Sequence, residues 1–598
     1  MREQLSYLGI KRSWPYVVGS QLVFWFLSWA LYGFANPLSN HLLPGTAPYS
    51  GDRVQEVWFF SWYAHALAHG LNPFVTGMVN APFGANLMSN TTAPLLGFAG
   101  APITWSLGPL ATYNFFLHAG LALSATSALF AARRVGFSRL PAFVIGLIFG
   151  FSSQQTVQAQ AHVFLVFQIF TPWIFLLTYE LVTRRSLPRR QGILLGLAIG
   201  GQYLISAEKV VITLVTIVIG LIVALPFSYT APTRPDWRSI GRNSLYAALS
   251  AMMVGAFRLY YQTAGPYRTK GLVHKWSASQ VASLKSFVLP DSYYVGWPFA
   301  PRAATAGSAI LEPGAYIGVA LAAVCIIAVV VHRRSRTVWW LAITTLIVLS
   351  CALGAQSHSI PTPGWLMGHA PLLNNILPVR WMLVGWAGIA LLVGVGLQYA
   401  VTNWKIHRIR CAALCLVTAA GLVAICPAHT IARGEASVPV WFESPAALHG
   451  LAHGTVLEYP YPSVVNNLGM LYQALSGMNY SLVGGEVIVG SGPDGESLGA
   501  RPLTPHMVPD FFFQAEGLTP TQWFDLALVN DYAPSALPSL DVAIADTRKF
   551  MVKNRITDVV VTRVGDYKWV ESYFTFVFGP PTGGEGTVTW WHFPKKVK

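Results

Sequence analysis

The chain has 598 residues, of which 53% are hydrophobic and 11% charged, and its formal net charge is +15. The charged share is less than half of the roughly 25% usual in soluble domains, and the mean hydropathy of +0.47 agrees. A soluble globular protein is excluded. A nucleic-acid partner is excluded too, because the basic residues sit in short loops between apolar runs and no nucleic-acid motif accompanies them.

A spanning helix needs about 20 mainly apolar residues. Such runs lie near 14–36, 112–132, 140–154, 161–182, 191–206, 208–228, 243–261, 314–331, 337–354, 380–402 and 411–428. They predict a polytopic α-helical membrane protein with about eleven transmembrane helices. The first run is too long for a signal-peptide core and lacks a clear cleavage site, so it reads as a retained span.

After that run comes Gly51 to Phe74, GDRVQEVWFFSWYAHALAHGLNPF. Val54, Trp58 and Trp62 recur at i, i+4 and i+8, which predicts a helix over 54–70. Its aromatics suit the membrane–water interface, where amphipathic rings settle. Asp52 then stands at membrane-surface height, where a lipid head group would be presented. His65 and His69, at i and i+4, share one face of this helix and are weak candidates for a metal. The run from Pro94 to Pro109 is apolar enough to span. Counting it would reverse the side of the Arg133/Arg134 loop, so it reads as a helix on the outer surface or dipping partly into the bilayer.

The basic loops set the sides. Arg2, Lys11 and Arg12 precede the first run; Arg133, Arg134 and Arg139 follow the second. Arg184, Arg185, Arg189 and Arg190 follow the fourth, and Arg234, Arg238 and Arg242 the sixth. Arg333, Arg334 and Arg336 follow the eighth, and Lys405, Arg408 and Arg410 the tenth. Every second loop is basic and therefore cytoplasmic, as is the amino terminus. The segments 37–111, 262–313 and 355–379 and a tail from 429 fall on the outer side. The polar loop of Gln155, Gln158, Gln160 and His162 shares that side. Cys325, Cys351, Cys411, Cys415 and Cys426 lie in or beside apolar runs, so no disulfide framework or zinc site is implied.

The tail reads as a small extracytoplasmic α/β domain. GTVLEYPYP and ITDVVVTRV have strand character, and SLDVAIADTRKFMVKN helix character with Ser539 at its start. GGEVIVGSGPDG is turn-rich and is not a phosphate loop, since no Gly-Lys-Ser/Thr closes it. Tyr459, Tyr461, Phe511, Phe512, Phe513 and Trp523 suit either sugar stacking or a domain core. The expected division is 1–428, with the outer loop 37–111, and 429–598.

The Gly-Asp before a Trp-rich helix, the HGLNPF after it, NAPFGANLMSNTTAPLLGFAGAPITWSLGP, and the closing span FFLHAGLALSATSALFAARRVG carry a resemblance. So do ISAEKV, at Ile205 to Val210, and LPVRW, at Leu377 to Trp381. Over about residues 10–430 the layout resembles the GT-C superfamily of integral membrane glycosyltransferases, in particular bacterial members. The resemblance implies a plasma-membrane hexosyl- or pentosyltransferase that uses a polyprenyl-phosphate-linked sugar and a glycan or lipid acceptor outside the cytoplasm. It implies inversion, with Asp52 as the general base. Donor-phosphate candidates are Arg380, which matches the LPxR position, with Arg258, Lys209 and Arg53. Glu208, Gln158 and His162 are substrate-binding candidates. Lys209 stands where the pattern has a second acid, which weakens any paired-carboxylate role there. No cofactor is certain, and the resemblance leaves a divalent cation open.

Other readings stand beside these. Asp52 also suits a helix cap, Glu208 and Lys209 a local ion pair, and Arg380 snorkelling toward head groups. The rival function is a transporter or flippase of lipid-linked sugars. That class places charge near the bilayer midplane and often repeats its halves, whereas here the mid-span regions are nearly charge-free.

Overall fold

The computed structural model describes residues 2–45, 51–184, 187–228, 236–269, 280–290, 293–295, 312, 314–354, 362–462, 466–491, 495–498, 540–564 and 567–593. The chain divides into two compact units. The first comprises Met1–Pro37, Phe115–Ala256 and His274–Ala432, and the second Leu38–Asn114, Phe257–Val273 and Arg433–Lys598. The segment Leu38–Asn114 thus clusters with the carboxyl-terminal tail.

Each of the apolar runs contains a helix. Among the described residues, five helical segments are long and apolar enough to cross a membrane: Pro109–Val135, Arg139–Gln158, Val163–Thr183, Ala207–Pro226 and Pro378–Asn403. Val319–Val331 and Arg336–Cys351 are shorter apolar helices.

In the first unit the Met382–Asn403 helix is central, packing on Arg139–Phe151, Val319–Val331, Arg336–Cys351 and Arg408–Ala424. Its glycines permit this closeness: a side chain at Gly394 would collide with Ile145, and one at Gly388 with Thr345. Small residues at crossings are how helices approach where water provides no drive between them. Trp381, Trp386, Val324, Val348 and Ile145 fill the resulting core.

One helical run is broken. Between Val163–Val166 and Thr171–Thr183 the backbone leaves the helix, which frees carbonyls that must find donors. Side chains supply them. Lys209 Nζ donates to Leu165 O, Gln155 Nε2 to Val166 O at 3.0 Å, Gln202 Nε2 to Phe167 O at 3.1 Å and Ser127 Oγ to Ile169 O.

In the second unit five strands form a sheet, in the order Gly583–Glu585, Val588–His592, Asp558–Thr562, Thr455–Tyr459, Ser481–Leu482. Thr455–Tyr459 runs parallel to Asp558–Thr562 and to Ser481–Leu482, and the remaining pairs are antiparallel. Helices Leu540–Lys553 and Tyr567–Phe578 contribute Phe550 and Phe574 to a core with Tyr459, Tyr461, Val559, Val561 and Trp591. Tyr459 and Tyr461 are therefore core side chains, while Phe511, Phe512, Phe513 and Trp523 lie outside the described residues.

The helix Asp52–Ala68 corrects one expectation. It is not an interfacial helix with aromatics turned to lipid, because Val54 to Ala64 are all buried in protein. It packs on Pro94–Leu107 and on Leu468–Leu475. Trp58 Nε1 donates to Gln473 Oε1, Ser61 Oγ to Ala474 O at 3.0 Å, and Trp105 Nε1 to Ala64 O at 3.0 Å. An aromatic-rich helix looks the same in sequence whether lipid or protein covers it; here protein does.

Candidate functional site

Gly51 and Asp52 open the Asp52–Ala68 helix. Gly51 has φ +74° and ψ −160°, a region that essentially only glycine occupies. The residue type thus sets the chain's entry into the helix. Asp52 lies in the first turn and is partly exposed. The helix amino terminus carries a partial positive charge that favours an ionised carboxylate.

The second unit surrounds this turn with polar groups. Asn467 Nδ2 donates to Gly51 O at 3.0 Å and to Glu486 Oε2, and Gln55 Nε2 donates to Glu486 O. Glu486 is 5% exposed and Asn467 is fully buried. Burial first, and the neighbouring Asp52 charge second, hold the Glu486 carboxyl well above the usual carboxylate range. Glu486 lies inside the turn-rich GGEVIVG stretch, where no local pattern marks it.

Arg53 turns to structure: its Nη1 donates to Pro44 O at 2.9 Å, tying down the end of the strand Leu42–Pro44. Arg258 is 3% exposed, and its Nη2 is 3.5 Å from Asn90 O. His65 and His69 stack with ring centroids 4.2 Å apart. Burial and the neighbouring His69 lower the His65 pKa. His69 Nδ1 lies 2.8 Å from the His65 carbonyl, at the helix end. Among the described residues no group of three or more His, Cys, Asp or Glu converges on the pair.

In the first unit the structure brings together five sequence candidates and one residue that was missed. Arg380 sits in the short turn Pro378–Trp381 at the start of its helix. Its Nη1 donates to Glu208 Oε2 at 2.7 Å and its Nη2 to Glu312 Oε1 at 2.6 Å. Arg380 Nε also reaches Glu312, at 3.1 and 3.2 Å. Gln158 Nε2 donates to the other Glu312 oxygen, and the His162 charge bears on it as well. Burial works to raise the Glu312 carboxyl, but the charge and hydrogen bonds of Arg380 outweigh it and hold it below its ordinary value. Lys209 is fully buried, donating to Gln168 Oε1 at 2.9 Å and to Leu165 O. These contacts serve the broken helix described above.

Glu312 reaches this cluster because the chain after it runs tight under the short helix Ser153–Gln158. Ser153 Oγ donates to Gly314 O at 2.9 Å and Tyr316 O at 2.7 Å, and a side chain at Gly314 would overlap Gln154. The glutamines are thus not a solvated loop: Gln154, Gln155 and Gln158 are at most 1% exposed. In the sequence, Glu312 was one acid in a long polar segment without periodicity. The only available signal was the need of a membrane-edge arginine for anions.

Two carboxylates therefore hold one guanidinium. Glu208 keeps 21% side-chain exposure, against 7% for Glu312. Glu208 is accordingly the arm that gives way more easily to another anion. Glu208 Oε1 is buried and has no hydrogen-bond partner among the described residues.

The architecture matches known proteins. A structure of the oligosaccharyltransferase AglB from Archaeoglobus fulgidus, in complex with an inhibitory peptide and a dolichol-phosphate, aligns at TM-score 0.51 and 12% identity, covering 92% of this chain and 70% of that one. The arabinofuranosyltransferase AftD from Mycobacteria aligns at TM-score 0.52 and 15% identity, covering 97% of this chain and 40% of that one. The fold is similar to that of these two glycosyltransferases. ArnT from Cupriavidus metallidurans is a further similar structure, at TM-score 0.43 and 11% identity over 96% of both chains. No family model matches the chain, and no curated protein matches it. The present chain spans about 40% of the mycobacterial enzyme's length.

Proposed function

We propose that the protein is a membrane glycosyltransferase that moves a sugar from a polyprenyl-phosphate donor to an acceptor hydroxyl outside the cytoplasm. The observation that carries this reading is Asp52: a partly exposed carboxylate in the first turn of a protein-buried helix, in a chain of GT-C fold. Support for the donor class comes from AglB, whose structure holds a dolichol-phosphate.

In this reading Asp52 accepts the proton of the acceptor hydroxyl. A hydroxyl is a weak nucleophile, and a positioned base adds about 10²–10⁴ in rate. The oxygen bonds to the anomeric carbon as the bond from that carbon to the phosphate oxygen breaks. The electron pair leaves with the lipid phosphate, and a single displacement inverts the centre. Arg380 receives the leaving phosphate by exchanging Glu208 for it, while Glu312 keeps the guanidinium oriented. A fixed cation where charge develops lowers the barrier, because it needs no reorganisation during the step. Gln158 and His162 act through Glu312, and Lys209 holds the unwound segment beside it. Arg53 and Arg258 are assigned to scaffold, as their observed bonds suggest. The approximately eleven spans, a cytoplasmic amino terminus and an extracytoplasmic α/β tail complete the arrangement.

The test uses purified full-length protein in detergent with a panel of radiolabelled polyprenyl-phosphoryl pentoses and hexoses. Release of free polyprenyl phosphate with at least one donor, lost in Asp52→Asn, is expected. Release that is undiminished in Asp52→Asn removes Asp52 as base. ATP-independent movement of intact donor across vesicles, with no release, favours the flippase instead.

A further inference from the structure

The first turn of Asp52–Ala68 meets a second carboxyl that the transfer step does not use. Glu486 belongs to a segment stapled to that turn. Asn467 bridges the Gly51 carbonyl and the Glu486 carboxyl, and Gln55, one helical turn beyond Gly51, binds the Glu486 carbonyl. The Glu486 N–H points to Met470 Sδ at 3.1 Å, on the helix Leu468–Leu475. Glu486 is 5% exposed, and the charged group facing it among the described residues is Asp52. No guanidinium or ammonium contact to Glu486 is seen among the described residues. A buried carboxyl without a cation, beside a second carboxyl, cannot readily ionise together with it.

We propose that Glu486 is a positioning residue for Asp52: a proton-carrying, neutral carboxyl that fixes the first turn and leaves Asp52 the ionised member of the pair. This rests on the reading of Asp52 as the base. The division of labour follows from surroundings. Asp52 has partial solvent contact and a helix amino terminus, both of which favour its charge. Glu486 has neither. Burial and the Asp52 charge keep the Glu486 proton in place above the ordinary carboxylate range, against the opposing pull of the Asn467 amide. An ionised Glu486 would put two negative charges at one turn, and the pair would then hold its next proton more tightly. Asp52 would be slower to return its proton to water after each transfer. A neutral Glu486 avoids this. The pair therefore titrates as a unit, with one proton retained above the ordinary carboxylate range.

The experiment is an infrared titration of the carboxyl carbonyl stretch in full-length, detergent-solubilised protein. It compares wild type, E486Q and D52N, each also carrying E458Q, since Glu458 is a second buried, proton-carrying carboxyl. Wild type is expected to show a protonated-carboxyl band that persists well above the ordinary carboxylate range. E486Q loses that band. In D52N, where Glu486 is native and the change is at a partly exposed site, the band persists but fades at lower pH. A band unchanged in E486Q overturns the proposal, as does a D52N titration that coincides with wild type. If E486Q does not fold, the D52N comparison decides alone. Glycosyl transfer enters none of these readouts, so failure of the catalytic reading appears separately, as transfer that survives in D52N.

Discussion

Replacing Arg380 with methionine removes the cation from a cluster that holds two acids. The Arg380 and Glu312 side chains retain 8% and 7% of their surface, and Glu208 retains 21%. Arg380 makes its bidentate contact with Glu312 and a single 2.7 Å contact with Glu208. Breaking a buried pair from one side typically costs about 3–5 kcal/mol, because the remaining charge is stranded. Glu312 accounts for most of that figure, since Glu208 can turn its exposed part to water or head groups. Adding Glu312→Gln to Arg380→Met removes the stranded charge and keeps the acceptor for Gln158, so more than half of the loss should return. The assay is thermal unfolding in detergent, followed by tryptophan fluorescence. The expected order of melting is Arg380→Met lowest, the double variant next and wild type highest. Arg380→Met melting with wild type, or a double variant below the single, would refute the stranded-charge argument.

Further outcomes follow from individual residues. Glu458 is buried in strand Thr455–Tyr459, both its oxygens lack a hydrogen-bond partner among the described residues, and burial raises it well above the ordinary carboxylate value. The folded state therefore prefers the protonated acid: stability is full below the unfolded-state pKa and falls as pH rises toward the folded value. Glu458→Gln should flatten that fall, and melting temperature measured against pH would show it; an unaltered slope counts against the assignment. Gly51→Ala forces an alanine to φ +74° and should cost about 1–3 kcal/mol while no atom is displaced, since open space surrounds the site. Chemical denaturation checks this, and equal stability would show that the turn relaxes. Trp58→Phe leaves the buried Gln473 Oε1 without its donor and should cost about 1–3 kcal/mol. The same denaturation assay checks this, and a Trp58→Phe variant as stable as wild type would count against it.

Much of the helical architecture was legible because apolar length is a strong signal: a chain in lipid must bury its backbone polarity in helices. Strands Thr455–Tyr459 and Asp558–Thr562 and helix Leu540–Lys553 also fell where their periodicity placed them. The environment of Asp52–Ala68 was not legible, since Trp58 and Trp62 suit lipid and protein equally. Arg380 and Glu208 were legible as charged residues at the edges of apolar runs. Glu312 and Glu486 were not, because each acts through a contact far away in sequence. Arg380 lies 68 positions beyond Glu312, and Gln55 binds Glu486 across 431 positions. No local pattern encodes such pairings. The contacts of Lys209 were hidden for a related reason: the unwound carbonyls it serves become visible only once the break after Val166 is seen.

The most direct measurement is made in the native host. The gene is deleted, and wild-type or Asp52→Asn protein is restored at equal membrane abundance. Lipid-linked sugars and envelope glycans are then quantified by mass spectrometry. The account predicts that the deletion strain accumulates a polyprenyl-phosphate-linked sugar and lacks one glycan residue, and that wild type corrects both and Asp52→Asn neither. Full correction by Asp52→Asn would contradict it.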